Sequence, residues 1–369
     1  RVMISFSRPR LRLRMHGRGR LREGNSQKML IFQYMNVAKI YHNEAQFLAI
    51  TSLSTEEFDQ LLRPFAHAWQ QWYKHYDFRM QRRRKPLSAT AAQSPTRTLP
   101  SEMDKLFFIL YVFKNNPLQQ LAAATFDMDQ GQVNKWIKIL MPVLETAIKE
   151  LHLQPARDMD ELVRLFRQRP GPPGEQDPQA QTLNLDATER PIGRNTDNEA
   201  QKNDYSGKQK QHTAKNSVLC DEYQFIHFLG FTWRGAIHDK AMAEQELPAF
   251  ERLPAKDIWM VKDTGYQRYC PEGVILLEPF KAKRGHPLSK LQKQINTWIS
   301  SIRVTVEHAI GGVKRLRLVS EKWRGKVPGR IDKAMAIAAG LHNLRVVSRA
   351  VDHTCTQART RARLEIFRS

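Results

Sequence analysis

QTLNLDATERPI, residues Gln181 to Ile192, is the stretch on which the fold turns. Leu183 and Leu185 face one way, Thr182, Asn184 and Asp186 the other, and Pro191 stops the run, so the pattern predicts a strand that ends on a carboxylate. In α/β folds ligands bind where strands end, although an isolated Asp at such a place more often begins a turn. Two later stretches add weight. DIWMVKD, Asp257 to Asp263, is a second apolar run ending in Asp, followed by Thr264, Gly265 and Tyr266. SIRVTVEHAIGGVKR, Ser301 to Arg315, reads as a helix with a single acid, Glu307. Three carboxylates this far apart in the chain suit two divalent metals once a fold brings them together.

The chain has 369 residues, enough for two or three domains and a sizeable core. Its net charge of +22 and pI of about 10.1 favour a polyanionic partner, most simply nucleic acid. A ribosome-associated or merely basic soluble protein is the plainer reading of the same balance. Cys220, Cys270 and Cys355 form no CxxC pair and no zinc spacing, which suits a reduced, cytoplasmic setting. No apolar run reaches membrane-spanning length, and the arginine-rich start lacks the apolar core of a secretory signal.

Upstream of the strand the chain reads as helical. Residues 1–28 carry eight Arg and one Lys against one Glu without periodicity. This is a disordered arm that grips phosphates, or translated sequence ahead of a natural start at Met29. Ser54 and Glu57 make a capping box for a helix to Tyr76, with an apolar stripe from Phe58 to Tyr76 and a Pro64 expected to kink or split it. Gln81 to Pro100 reads as a linker. Ser101 to Leu151 reads as three helices, broken at Asn116 and Pro117, the third capped by Asp129. A short helix, a tight turn and a longer capped helix fit helix-turn-helix DNA binding, with Gln132 and Lys135 on the outer face. An ordinary bundle with a solvated polar face fits as well. Arg167 to Gln181, rich in Pro, Gly and Gln, marks a domain boundary.

Downstream, Thr213–Asp221 and Gln224–Thr232 read as paired strands, Asp239 as the cap of a helix over Lys240–Phe250, Val274–Leu277 as a further strand, and the remainder, including Arg330–Ala350, as mainly helical. Strands followed by helices, with acids on the first strand, a central strand and a late helix, suit a ribonuclease-H-like mixed sheet flanked by helices. The organisation expected is a basic arm at 1–28, a helical region and linker at 29–100, a helix-turn-helix domain at 101–155, a linker at 156–180, an α/β domain at 181–350 and a basic tail at 351–369.

At LDATERPI (Leu185–Ile192), YSGKQKQHTAKN (Tyr205–Asn216), KDTGY (Lys262–Tyr266) and RVTVEHAIGGVK (Arg303–Lys314) the chain resembles a DDE transposase of a bacterial insertion sequence, in the branch named after insertion sequence five. The resemblance covers nearly all of Gln33 to Arg349. It implies a ribonuclease-H-like catalytic domain, a helix-turn-helix, Asp186, Asp263 and Glu307 as catalytic and metal-binding acids, and two magnesium ions, for which manganese substitutes. It also implies a double-stranded DNA substrate, the element's terminal inverted repeats and then target DNA, bound by at least a homodimer in the bacterial cytoplasm on the nucleoid. The family signature around the last acid is a Tyr, two residues, an Arg, three residues, the Glu, six residues and a Lys. Arg303, Glu307 and Lys314 match it, and Ser300 stands where the Tyr is expected. At about 100° per helical residue these three side chains fall within about 40° of one another, a metal ligand between two phosphate-binding cations.

Gly311 and Gly312, each costing about 1 kcal/mol in a helix, suggest a close backbone approach or a local break. Lys208, Lys210, His212 and Lys215 are read as DNA backbone contacts. Glu189 and Asp239 are read as acids outside the site, and Arg303 with Glu307 also fits a plain surface pair worth a few tenths of a kcal/mol. Two rival functions remain: a non-catalytic DNA-binding regulator derived from a transposase, and another ribonuclease-H-like nuclease.

Overall fold

The computed structural model describes residues 35–92, 96–168, 181–255, 257–282, 287–325, 327 and 329–349. The arm at 1–28, most of the boundary stretch Arg167–Gln181 and the tail at 351–369 lie outside them. The first helices are α1 Val37–Tyr41, α2 Glu44–Thr51, α3 Thr55–His75, α4 Ala89–Ala92, α5 Glu102–Asn115, α6 Gln119–Thr125, α7 Gln130–Glu150 and α8 Met159–Gln168. Three of them start on reciprocal caps that satisfy their first free N–H groups: Ser54 with Glu57, Ser101 with Asp104, and Asp129 with Gln132.

Pro64 does not split α3. The helix is continuous over 21 residues, and Pro64 is buried between Leu61 and Phe65. α5 is buried from Lys105 to Phe113, as befits a helix surrounded by others, and it ends where Asn116 takes a left-handed conformation (φ 43°). Residues 156–168, expected within a linker, hold α8, whose Leu162, Val163 and Phe166 are buried against the sheet.

The sheet comprises β1 Gln181–Pro191, β2 Tyr205–Ser206, β3 Gln211–Asp221, β4 Ile226–Leu229, β5 Trp233–Arg234, β6 Ile258–Lys262 and β7 Ile275–Leu277. Between and after them come α9 Asn198–Asp204, α10 Asp239–Glu246, α11 Lys290–Lys314, α12 Arg317–Ser320 and α13 Arg330–Arg349, with a single 3-10 turn at Thr264–Tyr266. The order is β2-β3-β1-β6-β7, with β4 and β5 also on β3. β3 is antiparallel to β1, while β6 and β7 run parallel to it. Such a mixed sheet, flanked by helices, is compatible with a ribonuclease-H-like fold. The second hairpin strand is shorter than the pattern suggests, because pairing shifts at Leu219/Cys220 and β4 covers only Ile226–Leu229.

β1 is covered on both faces. Leu183 and Leu185 pack with Leu219, Met260, Phe250 and α8. On the other face Val218 and Cys220 join α11 (Val306, Ala309, Val313), α13 and the N-terminal helices in one continuous core. Asn343 of α13 stitches this face together. Its amide donates to the Leu153 and Ile226 carbonyls, both at 2.9 Å, and its oxygen accepts the Ile226 N–H at 2.8 Å. No helix among the described residues is long and apolar enough to cross a membrane.

Candidate active site

Two acids are placed by strand register. Leu185 pairs with Lys262 across parallel β1 and β6, so Asp186 and Asp263, one residue on in each, lie side by side; Asp263 follows the last residue of β6, whereas β1 does not end on Asp186 as the pattern predicts but runs five residues further, to Pro191. Lys262 lies in an otherwise apolar run because its ammonium is spent internally. It donates to the Tyr266 carbonyl at 3.0 Å and the Tyr269 carbonyl at 2.6 Å, and it pairs with Glu278 at 2.7 Å. Those bonds pin the turn that follows Asp263, and the Tyr266 N–H closes it onto the Asp263 carbonyl at 3.0 Å. Burial pushes the Asp186 carboxyl up to about 6, with Asp263 adding to the rise; the Ala187 N–H, Arg303 and Lys208 act against it.

The third acid comes from α11. Ile299, Ile302, Val306, Ala309 and Val313 form its buried stripe, leaving Arg303 and Glu307 on its flank. One Arg303 nitrogen, Nη2, meets Asp263 Oδ1 at 3.1 Å and Glu307 Oε1 at 3.5 Å. Asp263 and Glu307 thus meet one guanidinium, and Asp186 stands beside Asp263 across the strand pair. Glu307 is about half exposed, and among the described residues no three acid, His or Cys side chains stand close enough to hold a metal ion as placed. The donors fit such an ion in kind: all are carboxylates, hard oxygen ligands, and a cationic group already sits among them.

α11 does not break at Gly311 and Gly312 but runs unbroken for 25 residues. The close approach does occur: a Cβ on Gly312 would run into the His342 ring of α13. One turn further, Lys314 faces a polar cleft of roughly 140 Å³ beyond Asp186, walled by Lys208, Gln209 and Gln211 over Glu189 and Arg190. Burial lowers the Lys314 ammonium, while Asp186 and Glu189 favour its charge.

The remaining basic candidates separate. Lys208 lines this cleft; Lys210 is exposed in a left-handed turn position (φ 52°). His212 is half-buried, its ring edge-on to Tyr205 at 5.8 Å. Lys215 is buried and held at 3.2 Å by Glu189, 3.1 Å by Asp239 and 3.1 Å by the Ile237 carbonyl, so its charge is committed inside the protein. Asp239 is not the cap of α10. His238 caps that helix, leaving Asp239 for Lys215 and for the Asp263 turn, where its carboxylate stands over Gly265.

Gln132 and Lys135 lie on α7, in the helical part. Gln132 Oε1 accepts the Asp129 N–H at 3.0 Å as half of the cap, and Lys135 Nζ stands 5.4 Å over the Phe78 ring. Sequence reasoning missed the Glu189–Lys215–Asp239 cluster and the clamp made by Lys262. The signal for the second was a lone cation inside a buried strand.

Comparison with known proteins agrees with this geometry. Residues 185–343, which span all three acids, match the family described as "DDE superfamily endonuclease". The "Probable transposase for insertion sequence element IS702" of Microchaete diplosiphon is 29% identical over 167 residues, 45% of this chain. The chain spans 58% of that relative's length. No solved structure matches it. The similarity lies over the sheet and the helices that follow it, and DDE superfamily enzymes use divalent metals. The finer branch expected from the sequence, that of insertion sequence five, is not among these matches.

Proposed function

We propose that this chain, related to DDE superfamily endonucleases through residues 185–343, is a DNA transposase. It would cleave the terminal inverted repeats of an insertion sequence and join the freed 3′-hydroxyl ends to target DNA. The observation that carries this reading is the placement of the acids: Asp186 within β1 beside Asp263 just past β6, with Asp263 and Glu307 on one guanidinium.

Asp186, Asp263 and Glu307 would hold two divalent ions, magnesium or manganese. When bound, such ions lower the pKa of an attacking water or 3′-hydroxyl and stabilise the leaving oxygen. Asp186, raised by burial, must give up its proton to bind a cation, which couples loading to pH near 6. Arg303 neutralises Asp263 and Glu307 and becomes free for a phosphate when they turn to a cation. Lys208 and Lys314, beside Asp186, would hold the strand backbone, and Lys210 and His212 would extend that contact. Lys215 would serve from within, fixing Glu189 and Asp239.

α6 and α7 would act as the helix-turn-helix, with Lys135 on its outer face; Gln132 reads a base only by leaving the cap of α7. Joining two DNA ends calls for at least a homodimer.

Glu307→Gln tests the site. The variant keeps the shape of the side chain and loses the charge that holds a divalent ion. It should bind terminal-repeat duplex, identified from DNA flanking the reading frame, as wild type does, and lose magnesium-dependent cleavage and strand transfer together. Cleavage near the wild-type level would sink the three-acid site. Wild type that binds these repeats but never cuts them would favour the regulator instead, and equal cutting of unrelated duplexes another nuclease.

A further inference from the structure

Residues 76–85, YDFRMQRRRK, leave α3 as a closed turn, although their composition reads as the start of a linker. The Asp77 N–H donates to the Gln81 carbonyl at 3.0 Å and the Arg83 N–H to the His75 carbonyl at 2.8 Å, while Tyr76 and Arg82 pair as an antiparallel bridge. The Asp77 carboxylate accepts the Arg79 N–H at 2.8 Å and the Gln81 N–H at 2.9 Å, and these bonds, the one from Gln81 foremost, hold its carboxyl below the usual range. Its charge is thereby used on the backbone. Arg83 folds back, its guanidinium 5.4 Å from the Tyr73 ring centre and its Nε–H on the Tyr73 carbonyl at 3.3 Å.

Arg79, Arg82, Arg84 and Lys85 stay exposed, and none makes an ion pair among the described residues. Under the turn, Phe78 packs edge-on against Trp136 of α7 at 5.4 Å and beneath Lys135. Phe78 thereby ties the turn to the first half of α7, and the two neighbouring segments carry five exposed cations, Arg79, Arg82, Arg84, Lys85 and Lys135. Like charges packed this closely repel one another and destabilise the compact state. A duplex backbone, with one charge per about 1.7 Å of helix axis, supplies the missing counter-charge at matching density.

We propose that the turn at 76–85 is a grip for the phosphate backbone of duplex DNA beside α7. It rests on the reading of α6 and α7 as a DNA-binding pair. α7 alone offers limited purchase: Gln132 is tied into the cap, and one face of the helix, from Val133 to Ile148, is core. The turn adds charge and orientation without reading sequence.

The test uses the full chain and a fluorescent random-sequence DNA duplex, with binding measured across a salt series. Replacing Arg79, Arg82, Arg84 and Lys85 with Ala together should weaken binding. It should also flatten the slope of log affinity against log salt by roughly 0.9 for each phosphate no longer neutralised. A variant with the wild-type slope overturns the proposal and assigns the patch to another polyanion. Asp77→Ala separates an ordered grip from simple charge. It raises the net charge by one, which by attraction alone tightens binding, yet it releases the turn and should weaken binding several-fold. Binding equal to or tighter than wild type overturns the proposal. A wild-type chain that binds no duplex even at low salt refutes the transposase reading itself; failure of the two variants alone refutes only the grip.

Discussion

Burial raises the Asp186 carboxyl from 3.8 to about 6, so at neutral pH the folded chain carries a charge its surroundings disfavour. The folded state therefore holds the proton more tightly than the unfolded chain. The stability this confers is complete below about pH 4 and is lost as pH rises through about 6. Asp186→Asn should match wild type at about pH 4 and exceed it at about pH 7.5 by at most 2–3 kcal/mol, the difference that two pKa units allow. Urea denaturation of both proteins across this range, without metal, checks it; a gap that does not change with pH removes burial as the cause. Asp186 and Asp263 were legible because each closes an apolar run. Lys215 was misread as an outward cation, yet its odd number set it apart from Lys208, Lys210 and His212: on a strand it faces the other way from His212, directly across from Glu189. Asp239 was misread because a carboxylate at a helix start resembles a cap until its neighbour His238 is seen to do that work.

Helices α7 and α13 meet at a glycine. A Cβ on Gly340 would run into Ile148 Cγ2, so the two backbones approach as closely as that side chain allows. Gly340→Ala gains about 1 kcal/mol of helix propensity and loses typically 1–3 kcal/mol to overpacking. The expected net is a loss, read as a lower midpoint in urea, and Ile148→Leu, which moves the branching methyl away, should recover part of it. An alanine variant at least as stable as wild type would mean the helices are not seated so tightly. The elements themselves were largely legible: the capping box at Ser54, the Asp129 cap and the apolar stripes announce α3, α5 and α7. What escaped was short or disguised. α8 directly precedes a stretch rich in Pro and Gly, and the turn at 76–85 is ordered by a side chain bonding to backbone N–H groups, which leaves no periodic trace.

Across the described molecule, helices and sheet share one core, running from Phe58 and Trp69 through Val218 and Ile226 to Ile337 and Leu341. Residues 35–349 should therefore unfold as one unit in urea. Tryptophan fluorescence, drawn from seven residues that include Trp69, Trp72 and Trp136 on the helical side and Trp233 and Trp259 on the sheet side, should follow the same curve as far-ultraviolet circular dichroism. Two separated transitions would mean that the parts are independent. The shared core itself left no mark in the sequence, because it depends on contacts between distant segments, which no local pattern records. The α/β class, by contrast, followed from β1 and β6 alone, whose apolar runs fix the centre of the sheet.

The contact between Ile148 and Gly340 also sets an order in time. α7 leaves the ribosome long before the helix that covers it: roughly 190 residues intervene, and at about 5–20 residues per second its apolar flank waits about 10–40 seconds for α13. Throughout that interval the nascent chain shows water a surface that the finished protein hides, so α13, which carries none of the three acids, bears on whether each new copy becomes a working molecule or a sticky fragment.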